Sequence, residues 1–213
     1  MGRPIGCRIF AALVGIILIV ALTVFVTHGI DRYKIKNELP FISNTILIFG
    51  EITDAIAEQV LAKLEVLDRD TTVKRIDILI NSPGGSATGS FAICDRMKRC
   101  QKPVKTVVLG EACSGAAFIL SSGSVGYRFA MPLAIIMVHR PALWITGIWR
   151  SEDCLQAFDY LKGSESRLFN LLSDNTSKSV EELRRDLAID FYLTPDEAVN
   201  YGLIDHVLSR RKK

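Results

Sequence analysis

Cysteine is sparse and irregular in this chain. There are five, Cys7, Cys94, Cys100, Cys113 and Cys154, an odd number with no CxxC pair. That excludes a disulfide framework and a zinc-ribbon type of metal site, and it suits a reducing compartment. No metal or other cofactor is called for by any cluster of ligating residues. Histidine is scarcer still, with only His28, His139 and His206. Charge of one sign is also lacking: the formal net charge is +3, and no basic stripe interleaved with aromatics appears. Nucleic-acid binding is therefore not expected. Internal repeats and low-complexity tracts are absent.

One long apolar run is present. Residues 9–26 carry no charge, and only Gly15 and Thr23 depart from strongly apolar residues or alanine. As a helix they would span roughly 27 Å, close to the hydrocarbon core of a bilayer. Arg3 and Arg8 precede the run, as they would in a signal peptide. The run is too long for a signal peptide's apolar core, however, and no A-x-A site follows, so a retained anchor is the preferred reading. Arg3 and Arg8 before the span nearly balance Arg32, Lys34 and Lys36 after it. The cysteine pattern tips the orientation towards a cytoplasmic catalytic domain. The expected organisation is an anchor over 1–30, a polar linker over 31–44 and one folded domain over 45–213.

Within that domain the pattern alternates between strand and helix. Strands are expected at Thr45–Phe49, at 76–80, at 104–109 (ended by Gly110), at 134–138 and at 204–207. Helices are expected at 54–67, 86–99, 114–120, 152–172 and Pro195–Tyr201. The first of these helices carries Ile56, Val60, Leu61, Leu64 and Leu67 on one stripe. The helix over 86–99 has Phe91, Ile93 and Met97 as inward candidates, and 152–172 has Leu155, Phe158, Leu161, Leu168 and Leu172. Thr194 as N-cap with Pro195 at the first helical position is a firm start signal. Such alternation implies an α/β domain with parallel strands and crossover helices.

Three places break this rhythm. Ser82-Pro83-Gly84-Gly85 follows a strand, and paired glycines let a backbone turn tightly and offer N–H groups to a developing oxyanion. An ordinary strand-to-helix turn has the same residues. Ser114 stands after a strand, at the start of an apolar helix whose dipole favours negative charge on oxygen. A helix N-cap is the simpler role for such a serine, and Cys113 is a rival nucleophile. His139 ends an apolar strand, where sites in such sheets gather. It is the sole good candidate for a histidine base, since His28 abuts the apolar run and His206 lies in the tail. A triad also needs a carboxylate, and the residues alone leave Asp186 and Asp190 open.

The segments ILIFGEITDAIA, ILINSPGGSATGSFAICDRM, VVLGEACSGAAFIL, GYRFAMPLAIIMVHRP and DFYLTPDEAVNYGLIDHVL fall in one order with compatible spacing. Together they resemble the proteolytic subunit of the Clp protease. The resemblance implies a crotonase-like (ClpP-type) β/α spiral and a serine endopeptidase of unfolded proteins or peptides. It matches Ser114 to the nucleophile, His139 to the base, Asp190 to the acid, and Gly85 and Gly115 to the oxyanion hole. It further implies rings of seven subunits stacked in pairs, fed by an AAA+ unfoldase, with no metal needed. Three departures stand out. Gly115 replaces a bulky residue, which keeps the N–H donor and loosens the turn. The stretch from Arg140 to Trp149 is basic and aromatic where the family has Gln-Pro and a glycine-rich strand. The N-terminus is an apolar span where the family has a pore loop. The alternatives are a membrane-anchored signal-peptide-peptidase-A-like enzyme with a serine–lysine dyad, an enoyl-CoA-hydratase-like enzyme using Glu111, and a non-catalytic ClpP-like subunit.

Overall fold

The structure is a computed structural model and describes residues 44–143 and 146–208. The anchor and linker expected before residue 44 lie outside the described residues. Among the described residues, no helix is long and apolar enough to cross a membrane.

The chain runs β1 (Thr45–Phe49), α1 (Asp54–Arg69), β2 (Ile76–Ser82), α2 (Ala87–Lys98), β3 (Val104–Cys113), α3 (Gly115–Ser121), β4 (Arg128–Ala130), β5 (Ile135–Val138), α4 (Ser151–Thr176), α5 (Val180–Asp186), β6 (Phe191–Leu193), α6 (Pro195–Tyr201) and β7 (His206–Val207). Among the described residues, one seven-stranded sheet follows the order β1-β2-β3-β4-β7, with β5 on β3 and β6 on β5. The alternation of Ile76, Ile78 and Ile80 with other residues buries one face of β2. Helix α1 buries Val60, Leu64 and Leu67, as its stripe predicts, and Ile56 and Leu61 pack at the edge of the same core. In α2, Ile93 and Met97 are buried and Phe91 is partly so. Each large side chain buried in this way stabilises the fold by about 1.5–3 kcal/mol.

Several expectations are corrected. Gly110 does not end β3. The β2–β3 register passes from Ile80↔Val108 to Ser82↔Ala112, so β3 bulges at Leu109 and Gly110 and then continues to Cys113. The Asn81 carboxamide oxygen takes the place that a Cβ on residue 110 would need, and it accepts the Glu111 N–H at 3.2 Å. The glycine therefore marks a bulge and a close approach rather than a stop.

The sheet is not wholly parallel, because β6 pairs antiparallel with β5. The short elements β4, β6 and α5 carry too few residues to show a period in sequence. In α4 the expected stripe holds only in the second half: Leu168 and Leu172 are buried, whereas Leu155 and Phe158 are exposed.

The long β3 sets the position of the site. Its first half pairs with β4 through Thr106–Val108, and its second half pairs with β5 through Glu111–Cys113. Two strands thus share one edge of β3 in tandem, and β5 is delivered to the carboxyl end of β3.

Candidate active site

Cys113 and Met137 are register partners, so the residues that leave these two strands start side by side. The Ser114 N–H donates to the Met137 carbonyl at 2.9 Å, which extends the ladder by one bond. Ser114 then turns sharply, with φ 54° and ψ −125°. A positive φ in a residue with a Cβ is strained, by about 1–3 kcal/mol, and such strain gathers at functional sites. The turn lifts the hydroxyl away from α3. The N-cap role is excluded by this geometry, because the side chain makes no cap bond. Ser114 Oγ instead lies 2.7 Å from His139 Nε2.

The other imidazole nitrogen faces a carboxylate. His139 Nδ1 is 3.5 Å from Asp190 Oδ1, and the two side chains are 30% and 58% exposed. The β5–β6 ladder explains the meeting, since Val138 pairs with Phe191 and the next residues outward are His139 and Asp190. At 3.5 Å the pair is looser than a hydrogen bond, and such contacts commonly tighten only when substrate is bound. Asp186, the other sequence candidate, is taken elsewhere: its carboxylate accepts the Tyr201 phenol at 2.7 Å.

The paired glycines lie on the far side of the serine. Gly84 and Gly85 have φ of 95° and 145°. A Cβ on Gly84 would come within 2.6 Å of the Cys113 carbonyl oxygen and 2.7 Å of Ser114 Cβ. Only a bare backbone can press so closely on the strand end. Ser82, fully buried and given no separate role in the sequence reading, holds this turn by accepting the Gly84 N–H at 3.1 Å. Its signal was the SPGG motif itself, whose first residue reads as generic turn chemistry. The N–H groups of Gly85 and Gly115 donate to no acceptor among the described residues. Both residues line one cleft of about 500 Å³, together with Ser114, His139, Met137 and Phe118.

Rival groups fall outside this arrangement. Burial, and then the neighbouring Glu111 carboxylate, push the Cys113 thiol up to about 11. Its S–H points at Glu111 Oε2, 3.9 Å away. A thiol in that state is no nucleophile at neutral pH. We expect iodoacetamide at pH 7.5 to modify exposed Cys154 long before Cys113, as read by peptide mass mapping. Rapid alkylation of Cys113 would contradict this. Glu111 does not line the cleft. Lys98 reaches Asp174 at 3.4 Å, Lys102 donates to the carbonyls of Leu67 and Asp70, and Lys105 lies 5.0 Å over the Phe129 ring. None of the three is at the serine, and no lysine lines the cleft among the described residues.

The arrangement can therefore polarise one hydroxyl and offer two backbone donors beside it. The Clp protease family model matches residues 29–211, a span that holds every group named above. An α/β domain with a mostly parallel sheet fits the ClpP-type fold. By that match over most of its length, the chain belongs to the Clp protease family.

Proposed function

We propose that this protein is a serine endopeptidase in which Ser114, His139 and Asp190 act as a triad. The observation that carries the reading is the 2.7 Å contact between Ser114 Oγ and His139 Nε2, made by a serine in a strained backbone conformation. As Ser114 Oγ bonds to the scissile carbonyl carbon, its proton passes to His139 Nε2. The N–H groups of Gly85 and Gly115 hold the oxyanion. Collapse breaks the C–N bond, and the leaving amine takes the proton from His139. A water, deprotonated by the same imidazole, then releases the acyl group as a carboxylic acid. Asp190 orients the ring and offsets its transient charge.

Family membership supports a ring assembly and an AAA+ unfoldase partner that feeds in unfolded protein. The apolar run over 9–26 supports a membrane anchor, and the cysteine pattern supports a catalytic domain on the cytoplasmic side. Both belong to the proposal.

A serine–lysine dyad is disfavoured by the positions of Lys98, Lys102 and Lys105, and His139→Ala separates the two mechanisms. We expect the variant to lose at least ~1,000-fold in kcat for a fluorogenic peptide. It should also lose labelling by a fluorophosphonate. Near-normal turnover in His139→Ala would exclude the triad.

A further inference from the structure

The second oxyanion donor belongs to a glycine. With no side chain of its own to wedge it in place, Gly115 would leave loose the turn that must aim the N–H. The structure supplies a compensation from another element. A Cβ on residue 115 would lie far inside contact distance of Ser90 Oγ, and 3.1 Å from Ser90 Cβ. Ser90 stands in the first half of α2 and is fully buried. Its hydroxyl donates to the Ser86 carbonyl at 2.9 Å, so it is tied down. Ser86 is the residue after Gly85, and its own N–H donates to the Ile52 carbonyl at 2.7 Å.

One hydroxyl thus connects the turn that follows Gly85 with the space beside Gly115. It is bonded to the residue beside Gly85, and it fills the space that a side chain on residue 115 would occupy. A Cβ on residue 115 would also stand just 3.9 Å from the Gly85 nitrogen, so the two donor residues lie close together on this side of the cleft. We propose that Ser90 is a positioning residue that locks Gly115: the buried hydroxyl sets the separation of the two donors and makes glycine obligatory after the nucleophile. This inference rests on the oxyanion-hole reading of Gly85 and Gly115. In protein interiors packed to crystal-like density, such a swap of volume between neighbouring positions preserves geometry, whereas a change at one position does not.

A double-mutant cycle tests the lock. The variants are Ser90→Gly, Gly115→Met and the two combined, in the full chain. Their readouts are the fluorophosphonate labelling rate of Ser114, kcat and KM for a peptide, and the thermal midpoint. Gly115→Met should label ~100-fold more slowly or more, because a misplaced oxyanion donor costs about 10²–10³ in rate. Its thermal midpoint should also fall, as overpacking demands. Ser90→Gly should lower kcat about three- to tenfold with KM little changed, since the donors lose their spacer but the cleft keeps its walls. The combined variant should regain at least about tenfold over Gly115→Met in labelling and recover part of its thermal midpoint.

The lock is overturned if Gly115→Met labels at the wild-type rate, or if the two changes prove additive in both labelling and melting. A wild-type chain that takes no label, like its Ser114→Ala variant, would instead overturn the hydrolase reading. The melting cycle alone would then decide whether Ser90 and Gly115 are locked.

Discussion

Replacing Ser114 with alanine will lower peptide hydrolysis by at least ~10,000-fold and abolish fluorophosphonate labelling, with the fold intact. The site itself accounts for the size of the effect. Removing Oγ leaves His139 with no proton to take and leaves two backbone donors facing no oxyanion. The fold is spared because the Ser114 hydroxyl makes its bond to His139 and none to the backbone of α3. Alanine keeps the Cβ and so keeps the strain of φ 54°. Glycine at the same position should be equally inactive yet about 1 kcal/mol more stable, because it relieves that strain. Hydrolysis that survives Ser114→Ala would sink the proposal, since the buried Cys113 thiol is in no state to replace the serine.

The largest loss of stability is expected far from the cleft, at Arg128. This side chain is buried and multiply bonded. Its Nη2 and Nε donate to Asp205 at 2.6 and 3.1 Å, and its Nη1 donates to the carbonyls of Asn175 and Gly202 at 2.8 and 2.9 Å. It thereby stitches the ends of α4 and α6 to the β4–β7 edge of the sheet. Removing one member of a buried, hydrogen-bonded pair costs about 3–5 kcal/mol, because the partner is left charged and unmatched. Arg128→Met should therefore lower the thermal midpoint by about 10 °C, a shift readable by calorimetry.

Asp205 extends the argument to pH. Burial alone would raise its carboxyl, but the Arg128 hydrogen bonds outweigh burial and hold it below the ordinary 3.8. A depressed acid contributes stability that is complete above the unfolded value. That contribution fades as pH falls through the folded value. The wild type should thus lose this part of its stability below about pH 4, and Asp205→Asn should show a shallower acid limb. An Arg128→Met variant as stable as wild type would show that the pair is merely decorative.

The parts of this molecule that were readable in sequence share a physical cause. Helices α1 and α2 and strands β1 and β2 each bury a face long enough to show its period. Thr194 and Pro195 announce α6, and the structure adds a capping box with Glu197. What was not readable depends on contacts distant in sequence. Gly110 looks like a terminator until the Asn81 side chain is placed over it. Asp186 and Asp190 are indistinguishable until Tyr201 claims the first and the β5–β6 ladder presents the second. Leu155 and Phe158 keep helical spacing with the buried leucines of α4, yet nothing in the described residues covers them. Ser90 carried no local signal at all, and only the missing side chain at position 115 pointed towards it.

The three groups of the site differ sharply in how firmly they are rooted. The serine and the histidine emerge from interior strands, whereas the carboxylate heads a three-residue strip on the rim of the sheet, bonded on one flank only among the described residues. Rim strips of this kind open at far smaller free-energy cost than the centre of a sheet. On the proposed triad, a local peeling at Phe191–Leu193 would withdraw Asp190 while the core stays whole, and whatever pins that rim would govern how much of the population is competent to cut.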